Sequence, residues 1–307
     1  MSEMKSKKWL FDLYCKNLSE TTNLKGGRFI CPLCFNGFAW ENVNLLTIEH
    51  IIPEALEGKI YTLTCKRCNN FYGSKYISKL IETLKVKDRL LGDLEDPIDA
   101  KMAIGENVIT AQYFIKERRI ILQPKRSNPY AYQDMLDRFR KGPIPNFNLN
   151  FKLGFKPEFQ NIAILLMCYL MLFRYFGYSY VFSPWGLKVR EIIVNQKLDA
   201  PLSKLLSSNN EVVLGGKTGL FLCKEPKIFY GYVGIQLNLI TEHSQHTFIK
   251  LLPFLPTAKF DNRVKKTKKV DFVCQSIAYS SDYLRGPGLF GKLIFTPSQQ
   301  SKKEGTR

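Results

Sequence analysis

Carboxylates are scarce in this 307-residue chain: 27 Asp and Glu stand against 45 Lys and Arg, a formal net charge of +18. Such a surface repels cations and draws polyanions, so nucleic acid or an anionic membrane is the first partner to weigh. Long apolar runs are lacking too. The richest, Ile162 to Phe173, stops at Arg174, well short of the ~20 residues a bilayer crossing needs. Met1 to Trp9 carries lysines with no apolar stretch of signal-peptide length behind them. These absences predict a protein of the reducing cytoplasm with no membrane partner. Gly and Pro, at 20 and 15, stay near ordinary usage, which removes collagen-like and low-complexity classes, and no internal repeat is present. A hydrophobic content of 45% with 13% aromatics is too apolar for a disordered chain. The length suits one large or two modest domains.

Eight cysteines are present, and a reducing compartment makes them free thiols or metal ligands before disulfides. Cys15, Cys168, Cys223 and Cys274 are scattered. Cys168 and Cys223 lie in apolar runs and read as small core hydrophobes. The other four form two C-x-x-C pairs, Cys31-Pro32-Leu33-Cys34 and Cys65-Lys66-Arg67-Cys68, with thirty residues between them. Two residues between thiolates let a tight turn aim both sulfurs at one ion. Two such knuckles supply the four soft ligands of a closed, tetrahedral structural zinc site. Residues 25 to 75 are too few to bury an adequate core alone, so the ion is expected to supply folding energy. With four thiolates bound, zinc keeps no position for water. Any chemistry must come from neighbouring side chains.

Between the knuckles, Leu45 to Glu49 reads as a short strand ended by Pro53. Glu54 to Gly58 reads as a turn or single helical turn closed by Gly, and Tyr61 to Thr64 as a second strand. Ile77 to Leu84 then has helical spacing. His50 is one of only three histidines in the chain and directly follows Glu49 at a strand end. Phosphodiester hydrolysis needs a base working near pH 7, which imidazole supplies. It also needs a divalent cation to neutralise charge on the phosphate and the departing oxygen. A carboxylate and an amide oxygen are hard ligands for magnesium or manganese, and Glu49 and Asn69 would provide them. Asn70 competes for the second place, and an Asn after a knuckle can also simply cap a helix.

The order Cys-x-x-Cys, Glu-His-Ile-Ile-Pro, Leu-Thr-Cys-x-x-Cys-Asn-Asn, then Gly-Ser-Lys resembles the HNH endonucleases of the zinc-containing ββα-metal type, over residues 28 to 80. The resemblance implies His50 as general base, Glu49 and Asn69 as ligands of a catalytic Mg2+ or Mn2+, and Cys31, Cys34, Cys65 and Cys68 around a structural zinc. Two positions depart from the pattern. Glu57-Gly58 stands where the family commonly has Gly-Gly, and no Asn precedes the second knuckle. A hydroxyl of Thr62 or Thr64 is the available substitute for orienting His50.

The expected architecture is α+β: an N-terminal ββα-metal module with its four-cysteine zinc site, followed by a C-terminal domain of mixed helix and β-sheet. Residues 1–24 read as a basic arm, 25–95 as the HNH module and 96–145 as a strand and helix connector. Residues 146–300 read as the α+β domain and 301–307 as a polar tail. Glu158 to Tyr175 is the longest helix, apolar nearly all round and therefore buried. β-branched and aromatic residues dominate from Glu211 onward and read as a sheet. Lys66, Arg67, Lys75, Arg263, Lys265, Lys266, Lys268 and Lys269 are candidate phosphate contacts. The expected activity is metal-dependent hydrolysis of double-stranded DNA. A zinc-stabilised nucleic-acid-binding protein that does not cut, or a nuclease of RNA, stays open, because phosphate contacts carry no base or sugar identity.

Overall fold

The computed structural model describes residues 3–22, 24, 26–89, 94–104, 107–116, 119–125, 129–142, 148–151, 157–196, 206–207, 214–225, 231–254, 273–279 and 284. In chain order these form α1 (Glu3–Thr21), β1 (Phe29–Ile30), β2 (Gly37–Phe38), β3 (Leu46–His50), β4 (Tyr61–Cys65), α2 (Lys66–Tyr72) and α3 (Ser78–Arg89). Then come β5 (Leu94–Ile104), β6 (Asn107–Lys116), β7 (Arg119–Pro124), α4 (Pro129–Arg140) and β8 (Asn148–Phe151). The chain continues through α5 (Pro157–Phe176), α6 (Tyr178–Val181), α7 (Pro184–Asn195), β9 (Leu206–Ser207), β10 (Gly219–Glu225), β11 (Tyr232–Ile240), β12 (Gln245–Pro253) and β13 (Val273–Tyr279). A π-helical turn, Gly73–Ile77, joins α2 to α3.

The chain divides into two compact units that do not follow the sequence order expected above. One gathers residues 1–80, 157–240 and 245–307, and the other residues 81–156 and 241–244. The zinc-knuckle segment therefore shares its unit with the long helix and the C-terminal sheet, where the sequence suggested successive domains. The reason lies in the core. Every residue from Ile162 to Tyr178 is buried, because a helix apolar all round must be covered on all sides. By length and composition α5 could cross a membrane, but here protein covers it. It packs against α6, α7, the π-helical turn, β4 and β12.

Residues 3–21 form a helix where a basic arm was expected. Leu10, Phe11, Tyr14, Asn17 and Leu18 fall on one face and are buried. Tyr14 stacks on Phe173 of α5 at 4.4 Å and meets Tyr178 edge-on at 6.4 Å. Such ring pairs contribute about 0.5–1.5 kcal/mol each beyond their buried area. The backbone N–H of Tyr178 donates to Asn17 Oδ1 at 2.9 Å. Gly177, at φ +60°, makes that contact possible, since a Cβ there would collide with the Asn17 amide.

The C-terminal sheet is antiparallel with strand order β13-β10-β11-β12-β9. Cys223 and Cys274, far apart in sequence, stand opposite each other across β10 and β13. Residues 285–300 of the expected C-terminal domain and the polar tail lie outside the described residues. The second unit is a four-stranded antiparallel sheet of order β7-β6-β5-β8. Met102 and Ile109 on its inner face pack with Ala131 and Met135 of α4.

Candidate metal centre

The first knuckle is a tight turn. Phe35 N–H donates to Cys31 O at 2.9 Å and Cys31 N–H to Asn36 O at 3.0 Å. Phe35 takes the left-handed conformation, φ +62°, that reverses the chain. In the second knuckle Cys65 ends β4, and its sulfur accepts the Cys68 N–H at 3.5 Å, capping α2. The four sulfurs lie within 4.8 Å of one another. Cys34 Sγ and Cys65 Sγ are 3.7 Å apart, close to the ~3.8 Å edge of a tetrahedron built on Zn–S bonds of about 2.3 Å. Cys31, Cys65 and Cys68 are buried and Cys34 half-buried. Hydrogen bonding among the sulfurs pulls Cys34 well below the ordinary thiol range and Cys65 down to about 7, while it pushes Cys31 and Cys68 above that range. Four soft donors at this spacing, three of them buried, fit a zinc ion.

The knuckle is braced from far along the chain, by residues the sequence did not single out. Tyr169 of α5 donates its hydroxyl to Pro32 O at 3.0 Å. Arg190 of α7 donates Nε–H to Leu33 O at 2.8 Å and lays its guanidinium over the Phe35 ring at 3.8 Å. Tyr178 donates to Ile30 O at 2.6 Å and accepts the Ile30 N–H at 2.9 Å. A buried Tyr hydroxyl needs a partner, and the turn's carbonyls supply it. Only folded geometry shows this pairing.

Behind the knuckles, β3 and β4 run antiparallel, with Glu49 opposite Thr62 and His50 opposite Tyr61. Successive side chains alternate faces, so Glu49 and His50 leave the strand on opposite sides. His50 is exposed, its ring edge-on to Tyr61 at 6.4 Å. Glu49 is half-buried and has no hydrogen bond or ion pair among the described residues; burial alone raises its carboxyl to about 7. A carboxylate desolvated without a protein cation suits a metal ligand. The hydroxyl substitutes expected for His50 do not serve. Thr62 and Thr64 are buried on the Glu49 face, and Thr62 Oγ1 is taken by Tyr14 OH at 2.6 Å.

Asn69 sits half-buried inside α2, with Asn70 exposed beside it. The cap of α2 is Cys65, which removes capping as the role of Asn69. The helix packs on both β3 and β4. Lys66 and Arg67 are exposed on its first turn. Lys75 is engaged elsewhere: its ammonium donates to Gln196 Oε1 at 2.6 Å and lies over the Phe71 ring at 5.2 Å. Arg263, Lys265, Lys266, Lys268 and Lys269 lie outside the described residues.

The turn after His50 holds the strand end. Ile51 N–H donates to Ile60 O at 2.8 Å, and Gly58 N–H to Pro53 O at 3.1 Å. The left-handed position expected at Gly58 falls on Glu57, φ +58°. Gly58 is needed for a different reason, since a Cβ there would run into the Ile52 carbonyl. Gly58→Ala should therefore lower stability by about 1–3 kcal/mol, read as a drop in the urea midpoint at unchanged slope. An unchanged midpoint would show that the loop gives way freely.

Residues 31–85 match the family model of HNH endonucleases. The match runs from the first knuckle through β3, β4 and α2 into α3, and that family implies nucleic acid as substrate. No curated protein and no solved structure matches the chain.

Proposed function

We propose that this chain is a metal-dependent endonuclease that hydrolyses phosphodiester bonds in double-stranded DNA. The observation that carries the reading is the strand end itself. A solvent-facing His50 and a desolvated Glu49, which has no ion pair among the described residues, are consecutive at that strand end and leave it on opposite faces, on a hairpin whose far end feeds a four-sulfur cluster. The match of the same segment to HNH endonucleases supports it.

In this reading zinc is scaffold, held by Cys31, Cys34, Cys65 and Cys68. Glu49 and Asn69 would hold Mg2+ or Mn2+, which when bound supplies positive charge to the scissile phosphate and the departing oxygen. His50 accepts a proton from the attacking water, as neutral imidazole can near pH 7. Its exposure leaves room for water and a phosphate to approach. The Tyr61 ring restricts how the imidazole turns. Lys66 and Arg67 would meet the DNA backbone as point charges. The cytoplasm suits this assignment because its reducing poise keeps the four thiols free to bind metal.

A non-cutting, nucleic-acid-binding role is the competing reading, favoured by one observation: Thr62 is committed to Tyr14 and cannot orient His50. Supercoiled plasmid distinguishes the two. Protein that keeps its zinc and is freed of Mg2+ and Mn2+ by dialysis is expected to leave plasmid DNA intact, and to nick or linearise it once either ion is added. DNA shifted in a gel but never cut, with either ion, would sink the nuclease and favour the binding role. Parallel incubation with single-stranded RNA separates the two substrates.

A further inference from the structure

The sheet of the second unit has one face covered and one open. Ala100, Met102, Ile109, Ala111 and Tyr113 are buried on the α4 side. The alternate positions, among them Lys101, Lys116, Arg119 and Ile121, are exposed. Among the described residues, charge on this open face is unbalanced. Lys116 lies directly opposite Arg119 across β6 and β7, and like charges in that position repel. Neither has a carboxylate partner among the described residues, and neither does Lys101. Asp99, an acid on this face, is neutralised by Lys125 at 2.5 Å. The opposite side of the unit is different. On α4, Arg138 pairs with Asp134 at 2.9 Å and Arg140 with Asp137 at 3.5 Å. Arg138 and Arg140 of α4 are thus compensated, while Lys101, Lys116 and Arg119 of the sheet have no carboxylate partner among the described residues, beside the partly exposed pair Phe114 and Ile121.

We infer that the open face of the β7-β6-β5 sheet is a second nucleic-acid contact surface, on which Lys101, Lys116 and Arg119 bind backbone phosphates. It rests on the nuclease reading above only for its choice of polyanion. The charge supplies the complementarity. A cross-strand pair that costs stability in the free protein becomes favourable once a phosphate lies between its members. Phe114 and Ile121 beside it offer apolar contact to sugars and base edges.

The test uses the full chain carrying His50→Ala, so that duplex DNA stays intact, and measures affinity across a salt series. Lys101→Gln/Lys116→Gln/Arg119→Gln is compared with Arg138→Gln/Arg140→Gln/Lys141→Gln, which removes the same charge from the end of α4 and the turn after it. The sheet variant is expected to lose roughly tenfold in affinity near physiological salt. Its log–log salt slope should fall by about two to three, at ~0.9 per lost phosphate contact. The α4 variant should keep the parent's slope. Equal slopes for all three proteins, or equal losses in both variants, would overturn the inference. A self-association abolished by the sheet variant, with DNA affinity intact, would assign the face to a second copy and overturn it too. Thermal melting checks folding, and the sheet variant should melt no lower than the parent because a repulsive pair is gone. Plasmid nicking by the unsubstituted protein reports separately. Sheet-dependent binding without nicking would leave this surface standing while the nuclease reading falls.

Discussion

His50→Ala is expected to lower DNA cleavage by about 10²–10⁴-fold, the usual worth of a positioned general base. Zinc content and DNA affinity should stay at the parent's level. The clean separation follows from the position of the residue. His50 is exposed at the last residue of β3, and its one described ring contact is the edge of Tyr61. Removing an exposed side chain away from caps and core usually changes stability by no more than about 0.5 kcal/mol, so a loss of activity cannot be blamed on unfolding. Single-turnover cleavage of plasmid in saturating Mg2+, together with a melting curve, makes the measurement. Cleavage at the parent's rate would remove His50 from the mechanism.

Cys65→Ser should have the second large effect, of a different kind. Zinc should be lost from the protein, as read by a colorimetric chelator assay after unfolding, and cleavage should fall to background. A structural zinc contributes on the order of 10 kcal/mol in small modules that fold only around it. Sequence alone would then have the whole segment unfold. The structure argues for a confined collapse. The first knuckle is also held by Tyr169, Tyr178 and Arg190, and the helices carrying them belong to a core in which every residue from Ile162 to Tyr178 is buried. The sulfur of Cys65 additionally caps α2, so the damage should concentrate on that helix and the hairpin. Limited proteolysis should therefore open new sites between residues 26 and 77 while α5 stays protected. Full zinc occupancy with parental cleavage would show that the four sulfurs do not form one centre.

The local features were legible because their physics is local. C-x-x-C turns, a strand ended by Pro53, and a carboxylate beside an imidazole each need only a few consecutive residues. Helix α5 was legible because a segment apolar all round has no solvent-facing solution. Helix α1 was not. Its lysines advertise an exposed arm, and only the partners of Leu10, Phe11, Tyr14 and Leu18 make it a packed element. The exchange of roles between Glu57 and Gly58 was equally hidden, since a clash with the Ile52 carbonyl appears only once the turn is closed.

Taken by itself, the amino-acid order determined the four-cysteine cluster, the Glu49-His50 pair, the positive charge and the buried character of α5. Those follow from spacing and composition, which act over a few residues or over the whole chain. Tertiary structure alone decided that the knuckle shares a core with α5, α6 and α7, that Tyr14 claims Thr62, and that the cations of the second unit's sheet stand unbalanced. The first two depend on groups brought together across tens to more than a hundred residues. No periodicity in a sequence encodes which distant carbonyl or hydroxyl a buried polar group will meet.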